Sequence, residues 1–129
     1  MSAISMNPLL DEIRRCTHCR EHLPLPPKPV LSFGPRARIL VAGQAPGSKA
    51  HESGTPWNDA SGERLRDWLG MDEKVFYDPL QIAIVPMGFC YPGRGRSGDL
   101  PPRPECAALW QDKIHRQLRG LRLRVVTCG

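Results

Sequence analysis

Four of the five cysteines in this sequence are spaced in a way that can serve chemistry. Cys16 and Cys19 form a close C-x2-C pair, whereas Cys90 and Cys106 lie far downstream with fifteen residues between them. Thiolates in such an arrangement can hold a zinc ion or an iron–sulfur cluster, and the spacing does not choose between the two. The alternative is purely structural, with Cys106 as a buried helix residue and Cys90 as a small packing residue.

A glycine-rich turn is the second feature that can serve chemistry. The apolar run from Ile39 to Ala42 breaks into the segment Gly43-Gln44-Ala45-Pro46-Gly47. Glycines let a ligand approach the backbone closely, and successive N–H groups can form a concavity that binds an anion or a carbonyl oxygen. The segment is not a Walker loop, because no Gly-Lys-Ser/Thr follows it, and it is not a GxGxxG fingerprint. Taken alone, it is more simply interpreted as an ordinary tight connection between a strand and a helix.

Basic residues form the third feature. Lys49 follows the glycine-rich turn, and Arg94 and Arg96 lie among glycines in the segment 91–98. Such side chains can contact nucleic-acid phosphates and give affinity without sequence preference. The alternative is a mobile, solvated basic loop. The formal net charge of +5 is compatible with a polyanionic partner, although many other proteins share such a charge.

The apolar pattern predicts the strands that position these residues. Three short runs of β-branched and apolar residues predict strands at residues 38–42, 81–85 and 122–127. The proline-rich segment 23–35 is predicted to be an extended loop within the domain. The segment 86–104, rich in Gly, Pro and Arg, is predicted to be a second loop.

Helical periodicity predicts three helices between and around these strands. Two of them are predicted at residues 6–15 and 105–118. A further helix follows the glycine-rich turn, with Ser61 as its predicted cap and Gly70 as its predicted end. The apolar residues on one face of that helix are Leu65, Trp68 and Leu69.

The alternation of strands and helices predicts an α/β sandwich with a parallel sheet, in a single domain of residues 1–129. Ligands bind such sheets at the carboxyl ends of the strands, and the segments after Ala42 and Val85 both leave from that edge. The third predicted strand runs to the end of the chain, and Cys128 is interpreted as one of its core residues. Because no loop or covering helix follows this strand, we expect the domain to be truncated at its C-terminus.

Length and composition exclude several classes of protein. No apolar run approaches the length needed to span a bilayer, which excludes an integral membrane protein. The N-terminal residues 1–15 have no apolar core of the signal-peptide type, so we expect a cytoplasmic protein. In a reducing cytoplasm, clustered cysteines are more often metal ligands or redox groups than parts of a disulfide framework. Nothing in the sequence predicts an oligomeric state.

The glycine-rich turn and the cysteines together resemble one known family. The turn, followed by Gly54-Thr55-Pro56-Trp57 and Gly62, resembles the first motif of the uracil-DNA glycosylase superfamily. The iron–sulfur branch of that superfamily, called family 4, reads roughly GEAPG and then GxPF. Its cluster cysteines form a close pair near the N-terminus and a wide pair after the second strand, an arrangement that Cys16, Cys19, Cys90 and Cys106 match. The segment 102–106 also resembles the approach to the last ligand, so the resemblance covers nearly all of the chain.

This resemblance implies a three-layer α/β/α sandwich in which the four cysteines hold a structural [4Fe–4S] cluster, with zinc as the alternative. It implies an enzyme that flips a damaged or deaminated base such as uracil out of DNA and hydrolyses its N-glycosidic bond. Gln44, Ala45, Pro46 and Gly47 would bind the base, with the N–H groups of Gln44 and Ala45 facing its carbonyl. Trp57 would stack on the base; the alternative is a half-buried loop aromatic that covers the core.

The chain also departs from the family pattern. Gln44 stands where family 4 has a glutamate, and an amide cannot act as a base. Asp59, or else Glu52, is expected to supply the missing carboxylate beside Gln44. Pro86 stands where the asparagine that reads uracil is expected, and a histidine-proline motif would lie beyond Gly129. These departures favour a second hypothesis, a catalytically impaired or truncated nucleic-acid-binding homologue that retains the cluster. A third is a small zinc-stabilised interaction domain.

Overall fold

A parallel sheet of three strands forms the centre of the fold. The structure, a computed structural model, describes residues 7–34 and 36–127. The strands of this sheet, in chain order, are β1 (Ile39–Ala42), β2 (Ile82–Ile84) and β5 (Arg124–Thr127). Strand β1 is central, with Ile39 paired to Ile82 on one side and to Arg124 on the other. The predicted α/β class with a parallel sheet is confirmed, each strand being one or two residues shorter than predicted; Cys128 lies outside the described residues.

Short helices connect and cover the strands. Their bounds are α1 (Pro8–Arg14), a 3-10 turn (Arg20–His22), α2 (Ser48–Ser53), α3 (Ala60–Leu69), α4 (Glu73–Phe76) and α5 (Pro104–Leu118). Helix α5 matches its prediction to within one residue, because Trp110, Ile114 and Leu118 bury a regular apolar stripe. Asn7 caps α1 by accepting a hydrogen bond from the Leu10 N–H.

The alternation of side chains along the strands separates the fold into three layers. Leu40 and Ala83 point to one face of the sheet and pack with α1 and α5. Val41, Ile82 and Ile84 point to the other face and pack with Leu65 of α3 and Phe76 of α4. The order helix, sheet, helix is that of the expected α/β/α sandwich. No helix within residues 7–34 and 36–127 combines the length and the apolar character needed to cross a membrane.

Helix α3 differs from its prediction at both its cap and its buried face. The cap is Asp59, whose side chain accepts a hydrogen bond from the Gly62 N–H, so the assignment to Ser61 is wrong. The predicted end at Gly70, in the left-handed conformation, is confirmed. Trp68 is 76% exposed, whereas Arg66 is only 6% exposed. The buried face therefore includes the arginine and leaves the tryptophan in solvent.

The predicted loop 86–104 contains a small antiparallel hairpin. Its strands are β3 (Arg94–Gly95) and β4 (Gly98–Asp99), and Arg94 lies opposite Asp99. The segment predicted as an extended loop does wrap the domain, since Val30 and Phe33 are almost fully buried and Ser32 bridges to Ile84. Both segments are therefore more regularly structured than their glycine and proline content indicates.

Candidate functional site

A cleft opens at the carboxyl ends of β1 and β2. The loops that leave these strands are joined side by side, because the Met87 N–H donates to the Gly43 carbonyl at 2.9 Å and the Gly88 N–H donates to the Gln44 carbonyl at 2.9 Å. Between them lies a cavity of about 310 Å³, a size suited to a small ligand. We call this cavity the carboxyl-edge cleft. It is found at the edge where ligands bind parallel sheets.

The glycine-rich turn forms one wall of the carboxyl-edge cleft. The residues of this turn that line it are Gly43, Gln44, Ala45, Pro46 and Gly47. No residue in the described ranges accepts a hydrogen bond from the Ala45 N–H, which is therefore available to a ligand. Trp57, Asp59 and Pro86 line the same cleft. The structure thus brings together all the residues predicted to bind a base and one of the predicted acids.

Trp57 is held against the turn in an uncommon conformation. Its φ of 58° is the one positive value among the non-glycine residues of the described part of the chain. The tryptophan ring passes close to Gly43, where a Cβ would lie 3.3 Å from its Cζ2. A Cβ on Gly62 would overlap the Trp57 carbonyl, so the start of α3 needs a glycine there. Strained backbone of this kind persists where neighbours fix it, and it is common at functional sites.

Arg66 and Tyr77 are the neighbours that fix Trp57. The Arg66 Nη1 donates to the Trp57 carbonyl at 3.1 Å, and the Tyr77 hydroxyl lies 3.2 Å from the same oxygen. The Tyr77 hydroxyl also donates to the Pro56 carbonyl at 2.7 Å. The Arg66 guanidinium lies over the rings of Phe76 and Tyr77, which compensates part of the loss of its hydration. Burial raises the pKa of Tyr77, so the hydroxyl stays protonated and able to donate.

Sequence reasoning missed Arg66, although a signal was available. Gly62, Leu65, Arg66 and Leu69 recur at the spacing of one helix face, so an arginine occupies a core-facing position. A charged residue at such a position is almost never buried unless it has partners. The pattern therefore indicates a buried arginine that holds other polar groups.

Two carboxylates line the carboxyl-edge cleft, and only one of them was predicted. Asp59 caps α3 through its Oδ1, which accepts from the Gly62 N–H at 2.9 Å. Asp99, at the end of β4, also lines the cleft, and its Oδ2 lies 3.5 Å from the position of a Cβ on Gly47. It was missed because the hairpin that carries it was predicted as a loop. Glu52 does not line the cleft; its backbone carbonyl accepts from the Lys28 Nζ.

The predicted phosphate-binding residues do not line the cleft, but they lie on segments next to residues that do. Lys49 is exposed on α2, which directly follows the glycine-rich turn. Arg94 is exposed on β3, and Arg96 is exposed in the turn of the same hairpin. Because this hairpin also carries Asp99, the two arginines belong to the segment that closes one side of the cleft.

The four predicted ligand cysteines line a second cavity, which we call the thiol cavity. It lies between the segment after α1, the loop after β2 and the beginning of α5, and its thiols are those of Cys16, Cys19, Cys90 and Cys106. Apolar side chains such as Phe89, Leu109 and Trp110 complete its wall. All four thiols are free of disulfide bonds. The close pair and the wide pair thus meet in one place.

Two N–H groups donate hydrogen bonds to sulfur atoms of the thiol cavity. The Trp110 Nε1 donates to the Cys16 Sγ and the Phe89 backbone N–H donates to the Cys106 Sγ, both at 3.3 Å. Hydrogen bonds of this type tune thiolate ligands of iron–sulfur clusters. Burial raises the pKa of Cys90 to about 11 and that of Cys106 to about 12. A thiol in this apolar cavity ionises only with a compensating cation, such as a coordinated metal.

The four thiols line one cavity, but they lie farther apart than the ligands of a metal ion do. Within residues 7–34 and 36–127, no three His, Cys, Asp or Glu side chains are close enough together to hold a metal ion as they stand. The donor types, the apolar wall and the N–H groups fit a metal–thiolate centre, whereas the sulfur positions must draw inward to form one. The choice between zinc and an iron–sulfur cluster stays a prediction.

Comparison with protein families finds a family model that matches the region containing most of the carboxyl-edge cleft. The family model described as the uracil DNA glycosylase superfamily matches residues 31–128, which include the glycine-rich turn, Trp57 and both carboxylates of the cleft. Members of this superfamily act on DNA, which supports DNA as the partner. Cys16 and Cys19 precede the matched region, so the match does not test the metal site. Since the match spans more than half of the sequence, the chain belongs to the uracil DNA glycosylase superfamily.

Proposed function

We propose that this protein is a DNA glycosylase of the family 4 type that removes a flipped, damaged or deaminated base such as uracil. The observation that carries the proposal is the convergence of the glycine-rich turn, Trp57 and Asp59 in the carboxyl-edge cleft. A base must leave the stack before its glycosidic bond can be reached, and a cleft with an aromatic wall can receive it. The reaction is hydrolysis, in which water replaces the base at C1′.

The turn and Trp57 bind and polarise the base. Trp57, fixed by Arg66 and Tyr77, offers a face on which the extruded base stacks. The Ala45 N–H and the Gln44 side-chain amide, both at the cleft wall, donate hydrogen bonds to a base carbonyl. As the glycosidic bond breaks, negative charge develops on the leaving base, and donors placed in advance stabilise it.

The carboxylates stabilise the positive charge that develops on the sugar. A sugar that loses its base becomes positively charged at C1′, and a nearby carboxylate stabilises that charge and orients the attacking water. Asp59 is our first candidate, because its Oδ1 is fixed on the Gly62 N–H while the residue lines the cleft. Asp99 is the second candidate, and it supplies negative charge that Gln44 lacks.

Base release from uracil- or hypoxanthine-containing single strands tests this proposal. We expect abasic sites to form, and we expect Trp57→Ala to lower the rate roughly tenfold to a hundredfold, the usual cost of losing one stacking contact. Trp68→Ala is the matched control, since that ring is 76% exposed on α3 and does not line the cleft. Equal activity of both variants would contradict the stacking role.

We further propose that Cys16, Cys19, Cys90 and Cys106 hold a structural [4Fe–4S] cluster, with zinc as the alternative. Their convergence in the thiol cavity and the N–H donors to sulfur support this. When bound, the metal centre supplies a crosslink between the segment after α1, the loop after β2 and α5. Iron, sulfide and zinc contents of anaerobically purified protein, with its visible absorption, distinguish the two metals.

A second function is favoured by two residues of the cleft. Gln44 provides an amide where the family pattern has a carboxylate, and Pro86 lines the cleft where an asparagine is expected. A protein with these changes can bind nucleic acid without cleaving the glycosidic bond. If the protein binds single strands tightly but forms no abasic sites with either uracil or hypoxanthine, the non-catalytic homologue is the correct assignment and the enzyme is not.

A further inference from the structure

The opposite end of the sheet carries a feature that the proposed function does not use. A cavity of about 590 Å³ opens there, at the amino ends of β1 and β5. Four arginines line it, namely Arg36, Arg38, Arg122 and Arg124. Ile39 and Leu121 are among the residues that complete its wall, and none of the described residues that line it is acidic. We call it the arginine cavity.

The sheet itself holds these arginines together. Residues 36–38 lead into β1, and residues 122–124 lead into β5. The Arg124 N–H donates to the Arg38 carbonyl at 2.9 Å, and Ile39 is paired with Arg124 in the parallel ladder. The two pairs of guanidinium groups therefore start from adjacent, hydrogen-bonded backbones.

The charges of the arginine cavity have no partners in the part of the chain that the structure describes. Among the described residues, none of its four arginine side chains forms an ion pair or a hydrogen bond. Arg66, Arg103 and Arg116, in contrast, each meet a carboxylate. These four arginines are four of the 18 Lys and Arg residues of a chain whose formal net charge is +5. Like charges brought together repel, and a bound anion relieves that repulsion.

We propose that the arginine cavity binds the phosphodiester backbone of a nucleic-acid strand, at a site separate from the carboxyl-edge cleft. Guanidinium groups match phosphate oxygens in pairs, and the apolar side chains of Ile39 and Leu121 can cover a sugar or a base face. A nucleic acid fits better than an acidic peptide, because the family acts on DNA and the wall is partly apolar.

The two sites are too far apart to hold the same nucleotide. Strand β1 runs between them, with Ile39 at the arginine cavity and Gly43 at the cleft. Four residues of a strand span about 13 Å. One protein molecule can therefore contact two separate nucleic-acid segments. This consequence goes beyond base removal and does not depend on catalysis.

Salt dependence of binding tests the arginine cavity. Affinity for an undamaged single strand is measured over a range of salt concentrations with the full chain and with the double variant Arg38→Gln/Arg122→Gln. Each phosphate contact contributes about 0.7 to the slope of log affinity against log salt for a single strand, so we expect the variant to lose about 1.4. Both side chains are exposed and unpaired, so the variant is expected to fold normally.

A charge-matched control separates a local contact from the overall charge. Arg15→Gln/Lys74→Gln removes the same two charges from exposed positions that do not line this cavity, and its slope is expected to stay at that of the unmodified chain. Arg38→Lys/Arg122→Lys should restore most of the slope. Equal slopes for Arg38→Gln/Arg122→Gln and the unmodified chain would overturn the proposal.

Competition identifies the source of the anion. We expect an unlabelled single strand to displace the labelled one from the Trp57→Ala variant more strongly than thymidine monophosphate or inorganic phosphate does. Displacement by the mononucleotide alone would assign the cavity to a free nucleotide, and displacement by polyglutamate but not by DNA would assign it to a protein; each result overturns the proposal. If no base is released but the salt slopes of the unmodified chain and of Arg38→Gln/Arg122→Gln still differ, the proposed enzyme activity is wrong and the arginine cavity is still supported as a nucleic-acid site.

Discussion

At the scale of single residues, the carboxyl-edge cleft depends on a tryptophan that is held in strain. Positive φ costs a bulky residue about 1–3 kcal/mol, and neighbouring groups must make up for it. Here those groups are Arg66 and Tyr77, which together contact the Trp57 carbonyl. The position of the tryptophan ring is therefore set by residues of α3 and of the segment after α4, outside the recognised motif.

Loss of the Arg66 guanidinium should release Trp57. We expect Arg66→Met to destabilise the protein by about 1–3 kcal/mol, because the partly buried Trp57 carbonyl and Tyr77 hydroxyl lose the Arg66 donor. Base release should fall as well. Urea unfolding measures the first effect. Arg64→Met, on the exposed side of the same helix, should change stability by less than about 0.5 kcal/mol; similar losses for both variants would contradict this account.

Asp59 combines a structural and a proposed chemical role, and two substitutions separate them. Asn caps helices as well as Asp does, so Asp59→Asn should keep stability and lose about a hundredfold or more in base release. Asp59→Ala should lose the same activity and also about 1 kcal/mol of stability. Urea unfolding and single-turnover base release check both. If Asp59→Asn is fully active, Asp59 is only a cap, and Asp99→Asn becomes the decisive variant.

The raised pKa of Tyr77 predicts how the stability of the protein changes at alkaline pH. Burial raises its pKa in the folded protein above the value of about 10 in the unfolded chain. The folded state therefore binds this proton more tightly, and the stability that depends on it is present below pH 10 and lost as the pH rises further. Tyr77→Phe should flatten this alkaline loss in unfolding curves. An unchanged pH profile in that variant would assign the loss to other groups.

At the scale of elements, the hairpin β3–β4 closes one side of the cleft and brings Asp99 into its wall. Its strands are two residues each, too short for an apolar alternation, so the pattern predicts only a loop. Gly98 has a φ of +123°, which L side chains rarely adopt. Asp99 enters the cleft only because this turn brings β4 back along β3.

Gly98→Ala should disturb the hairpin without filling any space. An added Cβ at Gly98 meets no atom within 4 Å, so the strain comes from the backbone alone. We expect base release or strand affinity to fall while the midpoint of global unfolding changes little, because the hairpin lies outside the two core clusters. Gly120→Ala is the matched control for base release and stability, since its surroundings are equally open. It is not a control for strand affinity, because Gly120 lines the arginine cavity. A large loss of global stability would show that the hairpin supports the core.

The thiol cavity lies where α1, the loop after β2 and α5 pack together in one core cluster. If the proposed metal centre is present, its binding free energy becomes folding free energy for the segment that carries Cys16 and Cys19. Cys16→Ser should abolish the bound iron or zinc and make residues 16–29 sensitive to protease. His18→Ala, which changes the one imidazole in the lining of the same cavity, should retain the metal. Retention of full metal content by Cys16→Ser would contradict the four-cysteine assignment.

At the scale of the whole molecule, apolar runs predicted the three central strands and α5. Strands β1 and β2 and helix α5 bury apolar side chains, whereas β5 is mostly exposed and is predicted by its β-branched residues. The turn, Trp57 and the meeting of the four cysteines were expected from the family resemblance, since spacing alone does not show that distant loops converge. Asp99 and the arginine cavity were missed because both depend on which loops the parallel register brings together. The single domain of residues 1–129 and its truncation at the C-terminus stay predictions.

The separation of the two proposed nucleic-acid contacts is also a property of the whole molecule. Parallel strands place all carboxyl ends at one edge and all amino ends at the other, so the cleft and the arginine cavity cannot merge. A labelled oligonucleotide captured by the protein on a second, immobilised oligonucleotide would detect simultaneous contact. We expect Arg38→Gln/Arg122→Gln to abolish capture and Arg15→Gln/Lys74→Gln to retain it. Equal capture by both variants would contradict simultaneous contact.

The three tryptophans of this chain give it a set of internal optical probes. Trp68 is in water on α3, Trp57 lines the cleft, and Trp110 is buried with its indole N–H on the Cys16 sulfur. Emission from Trp68 should be red-shifted and indifferent to ligands. A base stacked on Trp57 should quench the emission of Trp57, and an iron centre beside Trp110 should quench the emission of Trp110 by energy transfer. Single tryptophan-to-phenylalanine changes would therefore let one fluorescence titration follow base binding and metal loading separately, without any attached dye.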